Sequence, residues 1–240
     1  MAEELSSAGA VFVAGGTGGL GRAVSLAFLS AGAAVVVTYR QQEEFDTLLK
    51  EAGAGGGRLD GHIVDVTDEA ATNELAKSII GKHARLAAVV NTIGGYDGGA
   101  RLWELETPVL ERMLALNLRA GYALAKAMIP VMLRQGHGSF VNIAAKAAID
   151  HPPGAAAYAA SKAAALALMD SLAAELLGTG VRVNSVLPSV IDTAANRRAM
   201  PKANFAKWPK PDEIAPVIQF LCSDAAAVIH GAAIPVYGAR

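Results

Sequence analysis

The chain has 240 residues, of which 52% are apolar and 18% charged, and its formal net charge is −1. This length and composition predict one compact α/β unit with a full apolar core, and the near-zero charge without a basic block argues against nucleic acid as a partner. A single cysteine, Cys222, excludes an internal disulfide, and five histidines without ligand spacing give no reason to assign a metal.

Residues 1–5 lack the basic start and the apolar run of a secretion signal. No charge-free stretch along the rest of the chain reaches the length that spans a membrane. We therefore expect a cytoplasmic protein with no membrane partner.

Short β-branched runs alternate with longer helical patterns along the whole chain. Strands are predicted at 10–14, 34–38, 62–64, 87–91, 139–143, 181–187 and 232–236. Helices are predicted at 20–31, 42–52, 68–83, 108–135, 157–177 and 212–223, the third of them capped by Thr67. Alternation of this kind, with strands that are almost purely apolar, is typical of a parallel sheet covered on both faces. The sequence therefore predicts a single α/β domain over residues 1–240, a doubly wound, Rossmann-like sheet of about seven parallel strands with helices on both faces.

A glycine-rich loop, Gly15-Gly16-Thr17-Gly18-Gly19-Leu20-Gly21, joins the first predicted strand to the first helix. Glycines let the chain turn sharply and bring backbone N–H groups against a pyrophosphate, with the helix N-terminus behind it. Because strand, loop and helix occur together, the pattern favours a dinucleotide site over a plain turn.

The end of the second predicted strand should meet the adenosine ribose. A cation there accommodates a 2′-phosphate, whereas an acid favours a free 2′-hydroxyl. The sequence has Tyr39-Arg40 at this place, which favours NADP(H) as cofactor, with NAD(H) as the alternative. Arg40 could also be a solvated strand end. Asp65, just after the third strand, is placed to accept a hydrogen bond from the adenine amino group, although a plain turn residue would look similar.

Tyr158 and Lys162 stand one helical turn apart, and a phenol and an ammonium so placed can act as a general acid near neutral pH. Together with the glycine-rich loop, they resemble the motifs of the short-chain dehydrogenase/reductase family. The likeness spans nearly the whole chain and includes further segments: Asp65, Asn91-Thr92-Ile93-Gly94, Asn117 and Pro188-Ser189-Val190-Ile191-Asp192-Thr193.

This resemblance implies a role for each matching residue. Tyr158 would be the proton donor, Lys162 would hold the nicotinamide ribose and lower the pKa of the tyrosine, and Asn117 would support a water relay to Lys162. The cofactor-binding residues implied are Gly15, Thr17, Gly19, Leu20, Gly21, Tyr39, Arg40, Asp65, Val66, Asn91, Gly94, Lys162, Pro188, Val190 and Thr193. Family members normally add a serine hydroxyl thirteen residues before the tyrosine, where this chain has Ala145.

A narrower resemblance links parts of the second half to quinonoid dihydropteridine reductases, which also lack that serine. It is carried by the sequences from Ala145 to Asp150, from Gly94 to Gly99, and from Asn196 to Pro201. A conjugated pterin ring spreads the developing charge over several atoms, so a missing hydroxyl costs less. On this interpretation the substrate contacts Ala145, Tyr96, Phe205 and Trp208, with an aromatic ring against the pterin face.

The leading hypothesis is thus an NAD(P)H-dependent oxidoreductase acting on a conjugated small molecule such as a quinonoid dihydropterin. A short-chain carbonyl or 3-ketoacyl-type reductase is the first alternative, and a non-catalytic dinucleotide-binding module is the alternative of another class. The resemblance also implies a homodimer or homotetramer that pairs through the helices predicted at 108–135 and 157–177. The segment 194–211, with its polar, aromatic and proline residues, is predicted to be a substrate lid.

Overall fold

A single sheet of seven strands forms the centre of the computed structural model, which describes residues 9–238. The strands are β1 (Ala10–Ala14), β2 (Ala34–Tyr39), β3 (Leu59–Ile63), β4 (Leu86–Asn91), β5 (Gly138–Ile143), β6 (Val181–Pro188) and β7 (Ala233–Val236). Their order is β3-β2-β1-β4-β5-β6-β7, and every pairing is parallel. The winding reverses between β1 and β4, where ligands bind in open α/β sheets. The predicted single-domain, Rossmann-like fold is confirmed. The prediction that the N-terminus is not a secretion signal concerns residues 1–5, which lie outside the described range.

Helices cover both faces of the sheet. They are α1 (Gly19–Ser30), α2 (Gln42–Ala52), α3 (Glu69–His83), α4 (Thr107–Leu114), α5 (Ala120–Gln135), α6 (Ala147–Asp150), α7 (Ala156–Glu175), α8 (Ala194–Ala199) and α9 (Pro211–Cys222). On one face α1 and α9 bury Phe28 and Ile218, and on the other α3, α5 and α7 bury Ile79, Met128 and Met169. Because β1 and β4 are covered on both sides, their sequences are apolar without alternation.

One predicted strand is displaced by more than a residue. It was expected at 62–64, whereas β3 runs from Leu59 to Ile63. This strand pairs only with β2 at the edge of the sheet and is half-exposed, so its sequence need not be apolar. Gly61 allows the ring of Phe45 to lie against the strand, since a Cβ there would come within 2.3 Å of the ring.

The cap of α3 also differs from the prediction. Asp68, rather than Thr67, accepts hydrogen bonds from the N–H groups of Ala70 and Ala71, at 2.8 and 3.1 Å. Thr67 instead donates from its N–H and its hydroxyl to one carboxylate oxygen of Asp65, at 2.9 and 2.8 Å. A carboxylate one residue further on therefore replaces the predicted hydroxyl cap and leaves Thr67 to order the loop after β3.

Residues 9–238 contain neither a membrane-spanning helix nor a cluster of metal-ligating side chains. No helix in that range is long and apolar enough to cross a bilayer. The same range contains no group of three or more histidine, cysteine or acidic side chains that could hold a metal ion.

Candidate active site

The residues predicted to bind cofactor and substrate gather at one edge of the sheet. Gly15, Arg40 and Asn91 lie at the carboxyl ends of β1, β2 and β4, while Ala145 and Pro188 lie at those of β5 and β6. Parallel strands place all these ends on the same side, so sequence-distant residues become neighbours around the β1–β4 crevice.

The glycine-rich loop makes a turn that side chains would obstruct. Gly15 has a φ of +74°, and a Cβ at Gly21 would lie 2.1 Å from the carbonyl oxygen of Gly15. The helix α1 that follows begins after Gly18 without a side-chain cap, so no capping side chain competes with a ligand for its first N–H groups. Uncapped N–H groups at a helix start suit an anion, and this cradle fits the pyrophosphate of a dinucleotide.

Two of the predicted cofactor residues can contribute only through their backbone. The side chains of Leu20 and Val66 are buried, in the cores on opposite faces of the sheet. Thr193, by contrast, reaches the loop itself, because a Cβ at Gly19 would come within 2.7 Å of the Thr193 methyl group. The same threonine caps α8 by accepting from the N–H of Asn196 at 3.2 Å.

The adenosine end of the crevice carries both a cation and an acid. Arg40 is exposed and has no hydrogen bond or ion pair with any residue between 9 and 238. Glu44, which the sequence analysis did not single out, accepts a hydrogen bond from the Thr17 hydroxyl at 2.9 Å. The side chain of Tyr39 packs within the protein, since its ring stacks on that of Phe45 with 4.7 Å between the ring centroids. No sequence motif identifies Glu44 as a site residue, because its contact with Thr17 depends on how α2 packs against the glycine-rich loop.

Asp65 remains a carboxylate. Hydrogen bonds donated by the backbone N–H of Thr67, and then by its hydroxyl, hold the pKa of Asp65 below its ordinary value, and the nearby charge of Arg40 adds a smaller effect. Its second oxygen makes no hydrogen bond with a described residue.

Tyr158 and Lys162 lie in the first two turns of α7. Lys162 is only 4% exposed, and its Nζ donates to the carbonyl oxygen of Ile143, the last residue of β5, at 2.8 Å. Burial lowers the pKa of Lys162 to about 8. An ammonium this deeply buried is costly, which is typical of a functional position rather than of a solvated helix face.

The pKa of Tyr158 is raised in this structure, opposite to the net direction predicted from its neighbour Lys162. Burial, and to a smaller extent the nearby phenol of Tyr96, raises the pKa of Tyr158 to about 12. Lys162 directs its donor to Ile143, so desolvation dominates at the tyrosine. Tyr158 therefore holds a proton throughout the neutral range.

The predicted helix at 108–135 is interrupted at Asn117. Residues Ala115–Arg119 form a π-helical turn between α4 and α5, and such turns often occur at functional sites. The turn buries Asn117, whose Nδ2 donates to the carbonyl oxygen of Gly95 and whose Oδ1 accepts from the Gly95 N–H, both at 3.0 Å.

Asn117 also joins the two halves of the site. Its Nδ2 donates to the hydroxyl of Ser161 at 3.0 Å, and Ser161 donates to the backbone carbonyl of Tyr158 at 2.8 Å. A Cβ at Gly94 would lie 2.9 Å from both Asn117 Oδ1 and Lys162 Nζ, so these two polar atoms flank the same glycine. Sequence reasoning missed Ser161, although its position three residues after the tyrosine places it on the same helix face.

Asn91 has a structural part in this site. It is 1% exposed, its Nδ2 donates to Asn142 Oδ1 at 2.9 Å, and its own Oδ1 accepts from the N–H of Ile93 at 3.2 Å. It therefore fixes the turn that leads to Gly94, which is itself exposed at the crevice.

Ala145 lies in the turn after β5 and is 6% exposed. The N–H groups of Ala144 and Lys146 donate to the carbonyl oxygens of Val186 and Pro188, which ties this turn to β6. Ser139 cannot replace the missing hydroxyl, because its side chain donates to the carbonyl oxygen of Leu221 at 3.0 Å beneath α9.

The predicted substrate residues separate into two groups. Tyr96 meets Tyr158 edge to face, with ring centroids 5.0 Å apart and planes at 75°. Phe205 and Trp208 pack on each other at 5.0 Å, and neither makes a ring contact with Tyr158 within the described residues. A cavity of about 270 Å³ beside Trp208 is bordered by α9 and β7, and neither Tyr158 nor Lys162 lines it.

Comparisons with known proteins agree with this geometry. The family described as short chain dehydrogenase matches residues 9–204. The 3-oxoacyl-[acyl-carrier-protein] reductase FabG of Thermotoga maritima is 31% identical over 234 residues, which is 94% of this chain and 95% of that protein. The 4-formylbenzenesulfonate dehydrogenase TsaC1/TsaC2 of Comamonas testosteroni is 32% identical over 241 residues, 95% of this chain and 96% of that protein. The solved structure of ElxO with NADP bound has a TM-score of 0.90 at 25% identity, covering 95% of this chain and 97% of that one.

These relatives lend no support to the narrower resemblance to quinonoid dihydropteridine reductases. The broader resemblance is confirmed, since the family match covers most of the chain and the relatives align over nearly all of it. The chain belongs to the short-chain dehydrogenase/reductase family and is an oxidoreductase.

Proposed function

We propose that this oxidoreductase reduces a ketone carbonyl of the 3-oxoacyl type, with NADPH as the hydride source and Tyr158 as the proton donor. The observation that carries the proposal is the buried Lys162 ammonium one turn beyond a protonated tyrosine at the carboxyl edge of the sheet. The 3-oxoacyl reductase among the relatives supports the choice of carbonyl class. A reduced nicotinamide, when bound, supplies the hydride that this reduction needs.

Side chains of the protein itself supply the proton for this reduction. Tyr158 carries its proton at neutral pH, so it can donate to an oxygen that becomes negative as hydride arrives. The neighbouring ammonium of Lys162 then stabilises the phenolate. With a pKa of about 8, this lysine can also pass on a proton near neutral pH, which an ordinary lysine cannot do. Asn117 and Lys162 converge on Gly94, which supports the expected water relay between them.

A conjugated acceptor such as a quinonoid dihydropterin is the second candidate. The methyl group of Ala145 favours it, because the substrate oxygen of a ketone would gain less stabilisation here than beside a serine. Such an acceptor develops less localised charge and would need that hydroxyl less.

Steady-state oxidation of NADPH distinguishes the two candidates. The panel contains a 3-oxobutanoyl thioester, an aromatic aldehyde and a quinonoid dihydropterin, each at saturating NADPH. We expect the thioester to have the highest kcat/KM. If the dihydropterin alone is reduced, the carbonyl proposal is wrong and the conjugated acceptor takes its place.

The NADP(H) preference rests on Arg40. We expect Arg40→Ala to raise the KM for NADPH by about 10- to 100-fold, because a charge-assisted hydrogen bond to the 2′-phosphate is lost. The KM for NADH should change little, since that cofactor has no phosphate for the guanidinium to meet. Initial rates with each cofactor measure both constants.

Two further variants control this experiment. Arg134→Ala removes an exposed arginine from the end of α5, far from the crevice, and should leave both constants unchanged. Glu44→Gln should lower the KM for NADPH, because the carboxylate that holds Thr17 would repel a 2′-phosphate nearby. An equal rise in both constants for Arg40→Ala would show that Arg40 does not contact the phosphate.

A further inference from the structure

Two tyrosine rings, those of Tyr96 and Tyr158, lie against each other at the crevice. The rings of Tyr96 and Tyr158 are 5.0 Å apart in an edge-to-face arrangement. Neither hydroxyl has a hydrogen-bond partner among residues 9–238. Tyr96 is 63% exposed, so its ring is not needed to fill the core.

Asn117 positions both tyrosines. It holds Gly95, the residue before Tyr96, at its N–H and its carbonyl oxygen, and it reaches the carbonyl of Tyr158 through Ser161. The backbone beside Tyr96, in the loop after β4, and that of Tyr158, on α7, are thereby tied to one buried amide.

The loop of Tyr96 is built to turn the ring back towards the site. A Cβ at Gly98 would lie 2.5 Å from the Tyr96 hydroxyl and 2.7 Å from the carbonyl oxygen of Gly154. Glycine at this position therefore leaves room for the hydroxyl close to the loop that precedes α7. The N–H of Gly99 donates to Gly154 at 2.7 Å and holds the two loops together.

Apart from Tyr96, the hydroxyl donor of the site is Tyr158, whereas a substrate oxygen that becomes negative is better stabilised by two donors. Ala145 has none, Ser139 is committed to α9, and Ser161 is committed to the backbone of Tyr158. The phenol of Tyr96 lies beside the proton donor and has no such commitment to a residue between 9 and 238. The rise that Tyr96 causes in the pKa of Tyr158 agrees with the two oxygens lying within electrostatic range of each other.

We propose that Tyr96 is a catalytic residue whose hydroxyl donates the second hydrogen bond to the substrate oxygen, in place of the hydroxyl that Ala145 lacks. This inference rests on the proposed carbonyl reduction. In that step hydride leaves C4 of the nicotinamide, which is oxidised, and bonds to the carbonyl carbon. The π electrons of the C=O bond move to oxygen, which takes the proton of Tyr158. Tyr96 keeps its own proton and only stabilises the oxygen as charge develops.

The test compares single and combined variants on the 3-oxobutanoyl thioester with NADPH. Tyr96→Phe removes only the hydroxyl and should lower kcat by about 10- to 100-fold with little change in KM, since the bond strengthens in the transition state. Ala145→Ser should restore about 10-fold of that loss in the Tyr96→Phe background and raise the rate of the otherwise unaltered enzyme by a smaller factor.

Tyr122→Phe is the matched control. Tyr122 is a half-exposed tyrosine near the start of α5 whose ring lies beside Lys126, and its variant should keep the full rate. A second readout does not depend on turnover. Ultraviolet titration of the phenols should show Tyr158 ionising at lower pH in Tyr96→Phe, because one source of repulsion is gone.

The outcomes separate this inference from the function on which it rests. An unchanged kcat in Tyr96→Phe, or an equal effect of Ala145→Ser in both backgrounds, overturns the role of Tyr96 while the reductase itself stands. An unchanged rate in Tyr158→Phe overturns the proposed function as well.

Discussion

Replacing Tyr158 by phenylalanine is expected to lower the rate of carbonyl reduction by about 1,000-fold, within the range that general acid catalysis contributes. The variant keeps the ring and its edge contact with Tyr96 and loses only the proton. NADPH affinity should stay within about 3-fold, because the Gly-rich loop and Arg40 are untouched. Stopped-flow oxidation of NADPH and calorimetric titration measure the two quantities.

The pH dependence of the wild type supplies an independent check on this assignment. With its pKa raised to about 12, Tyr158 stays protonated across the assay range, so its own ionisation should not limit the rate below about pH 10. A fall in kcat as the pH rises below about pH 10, together with an active Tyr158→Phe variant, would point to a different proton donor.

The fold could be predicted because its strands are buried on both faces. β1 and β4 are apolar runs; Gly15, with its positive φ, follows the first, and Asn91 ends the second. The edge strand β3 was misplaced for the opposite reason, since Asp60 and Gly61 carry no strand signal. Pairing with β2 places it there.

The members of the candidate site could be named from the sequence, but not their connections. A π-turn adds one residue to a helical turn, and the apolar period of α4 and α5 does not reveal it. Asn117 was therefore placed on a regular helix, and its bonds to Gly95 and Ser161 could not be foreseen. Those bonds depend on how the loop after β4 meets α7.

The pKa values of the site residues are the property of the site that the sequence predicts least well. The four-residue spacing of Tyr158 and Lys162 predicts proximity, whereas the atom to which the ammonium donates is decided by the end of β5. Burial by the surrounding loops then raises the pKa of the tyrosine and lowers that of the lysine. The lid at 194–211 and the homodimer or homotetramer stay predictions.

Lys162→Met is expected to trade activity for stability. The rate of reduction should fall by about 100- to 1,000-fold, because the phenolate of Tyr158 loses the cation that stabilises it. At pH 7 the protein should nevertheless gain about 1–3 kcal/mol of stability. Burial of the ammonium costs on the order of 3 kcal/mol, and its hydrogen bond to Ile143 returns only about 1 kcal/mol.

The pH dependence of unfolding identifies the buried charge as the cause. The folded lysine releases its proton near pH 8, while the unfolded one keeps it to about pH 10.5, so the unfolded state binds more protons between these values. Wild-type stability should therefore rise with pH across this window relative to Lys162→Met. Urea unfolding of both proteins at pH 7 and pH 10 measures the difference, since all other ionisable groups are shared. A variant that is less stable at pH 7 would show that the ammonium stabilises the fold, and its burial could then no longer be interpreted as a cost borne for catalysis.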